Sequence, residues 1–382
     1  MATRRKPVKA PPGAPQHDHS VLVLQGGGAL GAYQAGVYEG MAEQGFAPDW
    51  VTGVSIGAIN AALISGNPPA KRVARLREFW ELVSSGVPLV TPAFLDPMRM
   101  AFNRISASAT MAFGVPGFFT PRVPPPFLQP DGTPEALSVY DTAPLRDTLR
   151  RLVNFDLINE KNDAKVRLSV GVSNVHSGNS EYFDNRDRII GPEHIMASGA
   201  LPPGFPPVEV DGSYYWDGGI VSNSPLWYVL DDSPNINALI VQVDLFSAKG
   251  ELPTTLDQVL ERAKDIQYSS KTRFNTNRVK EIEGLRVALG RLLAKVPAKM
   301  HRDVDYELLA PFAQYKRNIT IMHLINRRLD QASSAKDYEF SRGTMQMHWQ
   351  TGLEDVRRTC AHPNWLNATE VVDGVRTFDL AE

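Results

Sequence analysis

Between residues 21 and 66 the chain twice passes from a short apolar segment, through small residues, into a helix-patterned segment. The first segment, VLVLQ (21–25), is a continuous apolar run, the pattern of a strand buried on both faces and hence of a parallel sheet. Gly26, Gly27 and Gly28 follow, then ALGAYQAGVYEGMAEQG (29–45), with apolar residues at helical spacing and a glycine stop. The second segment, WVTGV (50–54), leads through Ser55 into IGAINAALISG (56–66), again helical, with Gly66 as a natural C-cap. Strand, glycine turn, helix, strand, sharp turn, helix is the opening of an α/β fold.

Further along, VRLSVGVSNV (166–175) and SEYFDN (180–185) read as a hairpin. A second hairpin is expected over VEVDGSYYWDGG (208–219), where Asp211-Gly212 is a type I′ turn signal. ALIVQVDLF (238–246) reads as a central strand and RNITIMHLINR (317–327) as an added edge strand, and residues 336–360 as a closing helix capped at Ser341. Beyond about residue 250 the pattern is mainly helical. Residues 87–137 differ in kind: ten prolines accompany Phe94, Phe102, Phe113, Phe118 and Phe119, so little regular structure is expected. A lid over a lipid-sized cleft and a plain surface insertion fit that segment equally.

Charge gives no lean toward nucleic acid, since 40 basic and 42 acidic residues leave a net −2. The single cysteine, Cys360, excludes an internal disulfide and fits a reducing compartment; its polar helical setting is that of a structural thiol. Residues 1–19 are basic and proline-rich with no apolar core for a secretory signal, and read as a disordered tail. No run reaches the eighteen apolar residues of a membrane span, so a soluble, cytoplasmic protein is expected, able to touch membranes only peripherally. Residues 262–302 hold eleven Lys or Arg against three Asp or Glu, with Ile282, Leu285, Leu289, Leu292, Leu293 and Val296 at helical spacing. A helix packed on the core is favoured there over contact between its basic face and anionic headgroups.

Chemistry enters with Gly53-Val54-Ser55-Ile56-Gly57, a G-x-S-x-G between strand and helix. A nucleophile on such a turn needs glycines two positions away, because side chains there would strike the adjoining backbone. Alone the pattern arises by chance in about one chain of this length in ten, so it needs support. Gly26, Gly27 and Gly28 supply some: consecutive glycines turn amides outward to receive an oxyanion without Cβ interference. Gly26, Gly28 and Gly31 also satisfy the dinucleotide fingerprint, but that fold needs an acid ending the second strand, where Val54-Ser55 stand; Asp49 precedes that strand. For a base, His323 and His348 are the formal candidates of a Ser-Asp-His order, yet neither lies in a turn after a clear strand. Asp217, ending a hairpin strand before Gly218 and Gly219, is better placed to act if burial raises its pKa. Locally it reads equally well as an Asp-Gly turn.

The glycine loop, the elbow and the Asp217-Gly218-Gly219 motif, in that order, resemble the patatin-like phospholipase family over roughly residues 20–250. ASGALPPGFPPVEVDG (197–212) is similar to that family's proline-rich block. The resemblance implies a three-layer α/β/α sandwich with a mostly parallel central sheet, followed by a mainly helical C-terminal extension (251–382). It implies a Ser55–Asp217 dyad, an elbow at Gly53 and Gly57, an oxyanion hole at Gly26 to Gly28, no metal or cofactor, and lipid acyl esters as substrates. One departure is Leu30, where the family's glycine loop usually carries arginine. The same chemistry would suit a depolymerase of a hydrophobic storage polyester. A non-catalytic lipid-binding protein would have no need of every one of these residues.

Overall fold

The computed structural model describes residues 17–86, 96–162, 165–232, 237–269, 272–314, 318–327, 336–366 and 374–380. The tail up to residue 16, and Phe94 with its neighbours 87–95, lie outside the described residues. The strands described are β1 (His19–Leu24), β2 (Trp50–Val54), β3 (Thr120–Pro121), β4 (Tyr140–Asp141), β5 (Arg167–Asn174), β6 (Ser180–Asp184), β7 (Val208–Val210), β8 (Ser213–Asp217), β9 (Asn237–Asp244), β10 (Asn318–Ile325) and β11 (Gly374–Phe378). The main sheet has the order β11-β10-β9-β1-β2-β5-β8-β7, with β6 also on β5; β3 and β4 pair apart from it.

From β11 to β5 the sheet is parallel, which requires cover on both faces. Successive residues alternate between the two faces. Leu22, Leu24, Val51, Val241 and Val243 enter one core with helices α1 (Ala32–Glu43) and α2 (Ile56–Ser65). Val21, Val23, Trp50 and Ile240 enter a second core with Leu226, Val229 and Leu230 of the helix Leu226–Asp232. The result is the helix–sheet–helix sandwich expected. Strand order runs from β1 through β2 to β5, then resumes with β9 on the other side of β1. In open α/β sheets, ligands sit beyond the carboxyl ends of the strands at such a reversal.

Both expected hairpins form, and Asp211 (φ 50°) and Gly212 (φ 78°) carry the positive angles a type I′ turn demands. Ser341 caps the helix Arg342–Ala361, accepting from the Thr344 N–H at 3.5 Å. Two expectations are corrected. The proline-rich segment contains an 18-residue helix, Asp96–Phe113, because its prolines bracket residues 98–115 and Pro97 falls in the first turn, where no N–H is needed. Strand β10 is interior, since the short β11 takes its outer edge. In the helix Thr272–Leu293, the Glu283–Arg286 ion pair (2.6 Å) is buried while Ile282, Leu285 and Leu292 are exposed by 41%, 72% and 62%. A mutually satisfied pair tolerates burial. No helix among the described residues is long and apolar enough to cross a membrane.

Candidate active site

Ser55 sits where β2 breaks into α2, with φ 56° and ψ −124°. That conformation costs a non-glycine residue about 1–3 kcal/mol and persists only where its surroundings enforce it. Here they do. The Ser55 carbonyl accepts from the N–H groups of Ala58 (2.9 Å) and Ile59 (3.2 Å). Its own N–H donates to the Ser198 hydroxyl (2.9 Å), which in turn donates to the Gly171 carbonyl of β5 (2.6 Å). A Cβ on Gly53 would collide with the backbone of Gly57, and one on Gly57 with the carbonyls of Leu24 and Gln25. Ser55 occupies the N-cap of α2, whose positive end favours negative charge developing there.

The glycine loop is pinned from three sides. Asn223 holds Gly26 twice, its carbonyl accepting from the Gly26 N–H (3.3 Å) and its side chain donating to the Gly26 carbonyl (3.2 Å). The Gln25 side chain accepts from the N–H groups of Leu245 (2.6 Å) and Phe246 (3.0 Å) just past β9. From beneath, Gln34 donates to the Gln25 carbonyl (2.7 Å), Asn60 to the Gly31 carbonyl (3.0 Å), and Trp80 to Asn60 (3.1 Å). Leu30 is wholly buried in the core, and this polar network fixes the loop without a cation at that position. Gly26, Gly27 and Gly28 all face the cavity, but the Gly26 N–H is already engaged by Asn223. Those of Gly27 and Gly28 donate to no acceptor among the described residues.

Asp217 reaches the same place from β8. Register pairs Val54 of β2 with Gly171, and Val172 with Asp217, so the elbow and the carboxylate stand level on either side of β5. Gly218 permits the approach, since a Cβ there would lie 2.6 Å from the Gly171 carbonyl. The buried carboxylate accepts from the Gly219 N–H (2.7 Å) and is hydrogen-bonded by the Ser55 side chain. Burial pushes its pKa from 3.8 up to about 6, although both hydrogen bonds pull the other way. Ser55, Asp217 and the three glycines line one cavity of about 660 Å³, open mouth included. Phe118, Phe119, Phe205, Phe246 and Phe340 also line it.

The rival constellations do not assemble. His323 bonds Asp244 (2.7 Å) and His348 lies 3.5 Å from Asn326, and neither lines the cavity. Asp49 meets His19 (3.1 Å) near the start of β2, at the wrong end for a ribose. Among the described residues no group of three or more His, Cys, Asp or Glu could hold a metal. Sequence reasoning missed Ser198, Asn223, Tyr268, Asp337 and Tyr338. Asn223 had a faint signal, a polar residue in the small-residue loop after Asp217. The last two lie in a short turn that the chain pattern does not mark.

Residues 22–230 match the family described as Patatin-like phospholipase, and residues 266–371 a second described as Patatin phospholipase. No curated protein matches the chain. Among solved structures, the crystal structure of VipD from Legionella pneumophila matches at 15% identity and a TM-score of 0.34, covering 92% of this chain and 72% of that one.

Proposed function

The chain belongs to the patatin-like phospholipase family, a family of lipid acyl hydrolases, and from that premise we propose a serine acyl-ester hydrolase with Ser55 as nucleophile and Asp217 as base. The observation that carries this reading is the hydrogen bond joining Ser55 to a buried carboxylate beside two unengaged backbone donors. Ser55 Oγ attacks the ester carbonyl while Asp217 takes its proton. The oxyanion forms against the N–H groups of Gly27 and Gly28. As the tetrahedral species collapses, Asp217 returns the proton to the departing alcohol. Water then gives a proton to Asp217 and attacks the acyl-serine, and Ser55 recovers its hydroxyl as the acid leaves. A carboxyl with a pKa near 6 can trade protons in both directions at neutral pH.

The test is hydrolysis of p-nitrophenyl hexanoate by the full chain, its Ser55→Ala and Asp217→Asn variants, each checked for a native circular dichroism spectrum. Both substitutions should lower kcat by about 10³-fold or more. A folded Ser55→Ala protein within tenfold of the parent rate would refute the assignment.

A second element of the reading concerns where the enzyme meets its substrate. Exposed Ile282, Leu285 and Leu292 stand on the same helical segment as the exposed Arg291, with exposed Lys295 and Lys299 just beyond, which suits the surface of an anionic membrane. The chain should co-sediment with vesicles containing phosphatidylglycerol at low salt and release at high salt. Equal binding to purely zwitterionic vesicles would rule this contact out.

A further inference from the structure

One wall of the cavity comes from far along the chain. The turn Lys336–Tyr338 lays the Asp337 carbonyl against Gly28 so closely that a Cβ on that glycine would collide with it. Tyr338 and Phe340 complete the lining on that side. The turn is anchored rather than loose. Lys336, almost fully buried, pairs with Glu261 (3.1 Å) and Asp265 (2.6 Å), and Glu339 accepts from Ser106 (2.5 Å) and from the Ser341 N–H (3.1 Å).

The charged side chains that line the cavity itself are acidic. Among the described residues lining the cavity, the ionisable acids are Asp217 and Asp337, and no Lys, Arg or His is present. Behind this lining, Lys264 pairs with Asp337 at 2.7 Å and offsets part of its charge. Leu30 of the glycine loop is buried and contributes none. An anionic headgroup needs paired cationic or N–H donors to leave water. An ionised Asp217 raises the cost further, and Asp337 adds to it only as far as Lys264 leaves its charge uncompensated. Aromatic walls with few polar groups suit an apolar chain instead.

We propose that the site takes uncharged acyl esters and excludes those bearing a phosphate headgroup, with Asp337 as the specificity-determining residue. This rests on the Ser55–Asp217 reading. The same charges disfavour retention of the acid product, which leaves as a carboxylate. Glycerides and polyester segments share the required chemistry.

The experiment compares kcat/KM for dihexanoylglycerol and dihexanoyl phosphatidic acid as dissolved monomers, so that docking on a lipid surface plays no part. A capped 3-hydroxybutyrate trimer, also uncharged, separates the two sources. At least one uncharged substrate should exceed phosphatidic acid by about tenfold or more, the scale of a like-charge penalty in a partly buried site. Asp337→Asn should shrink that ratio several-fold and Lys264→Gln, which leaves Asp337 uncompensated, should enlarge it. Phosphatidic acid turned over as fast as the uncharged esters, or a ratio that neither variant moves, would overturn the proposal. Failure of the underlying reading shows separately, as p-nitrophenyl hexanoate hydrolysis that survives Ser55→Ala.

Discussion

Asp217 carries two opposed consequences of burial. As a base it must be ionised, so kcat/KM for a neutral ester should rise with pH, reach half its plateau near pH 6, and fall about tenfold per unit well below that. A rate flat from pH 4 to 8 would remove Asp217 from the proton path. For stability the sign is reversed. Its folded pKa of about 6 exceeds the ordinary 3.8, so the folded chain binds this proton more tightly than the unfolded one. The stability contributed is full below about 3.8 and is lost as pH rises through about 6. Asp217→Asn should therefore melt above the parent at pH 7.5, by up to about 3 kcal/mol, and lose that advantage near pH 4. Ser198→Ala should act on the elbow: the part-buried Ser55 N–H loses its acceptor, costing about 1–3 kcal/mol, and kcat should drop with KM little changed. A changed KM at constant kcat would argue against that positioning role. Ser55, Asp217 and the glycines of the proposed site could be singled out because the proposed chemistry demands those residue types in order. The engagement of Gly26 could not, since it depends on Asn223, which lies 197 positions away in sequence.

At the scale of elements, close backbone approach decides which glycines matter. Gly57→Ala should destabilise by more than about 2 kcal/mol, as a methyl there meets two carbonyls of the β1 end. Gly284→Ala, in a helix with open space around the new methyl, should instead stabilise by about 0.5–1 kcal/mol. Thermal melts of the two variants with opposite signs are the expected outcome; the same sign in both would contradict the packing. The first two βα units, both hairpins and β9 could be read from periodicity because each satisfies its pattern locally. Proline counting hid the helix Asp96–Phe113, since the number of prolines matters less than their positions at its ends. Of the apolar residues spaced over 282–296, Leu293 is buried while Ile282, Leu285 and Leu292 are exposed, and the helix also buries an ion pair. Spacing reports a face, not which surface it meets.

Across the whole molecule the chain returns to its own beginning. β10 and β11 extend the sheet beyond β9, and the helix Arg342–Ala361 packs on α1 through Gly36, Gly40 and Gly352, where a Cβ would strike the facing helix. The turn holding Asp337 closes the cavity that residues 26–28 open. No local pattern announces such a return, because its partners are brought together only by tertiary packing. A fragment ending at residue 250 should consequently lack a cooperative thermal transition, with the outer edge of β9 and one flank of α1 stripped. A soluble fragment melting cooperatively would contradict that unity. The central claim concerns a single covalent bond. After reaction with a fluorophosphonate and proteolysis, mass spectrometry of the peptides should find the phosphonyl adduct on Ser55, with labelling greatly slowed in Asp217→Asn; an adduct on another residue, or equal labelling of Ser55→Ala, would contradict it.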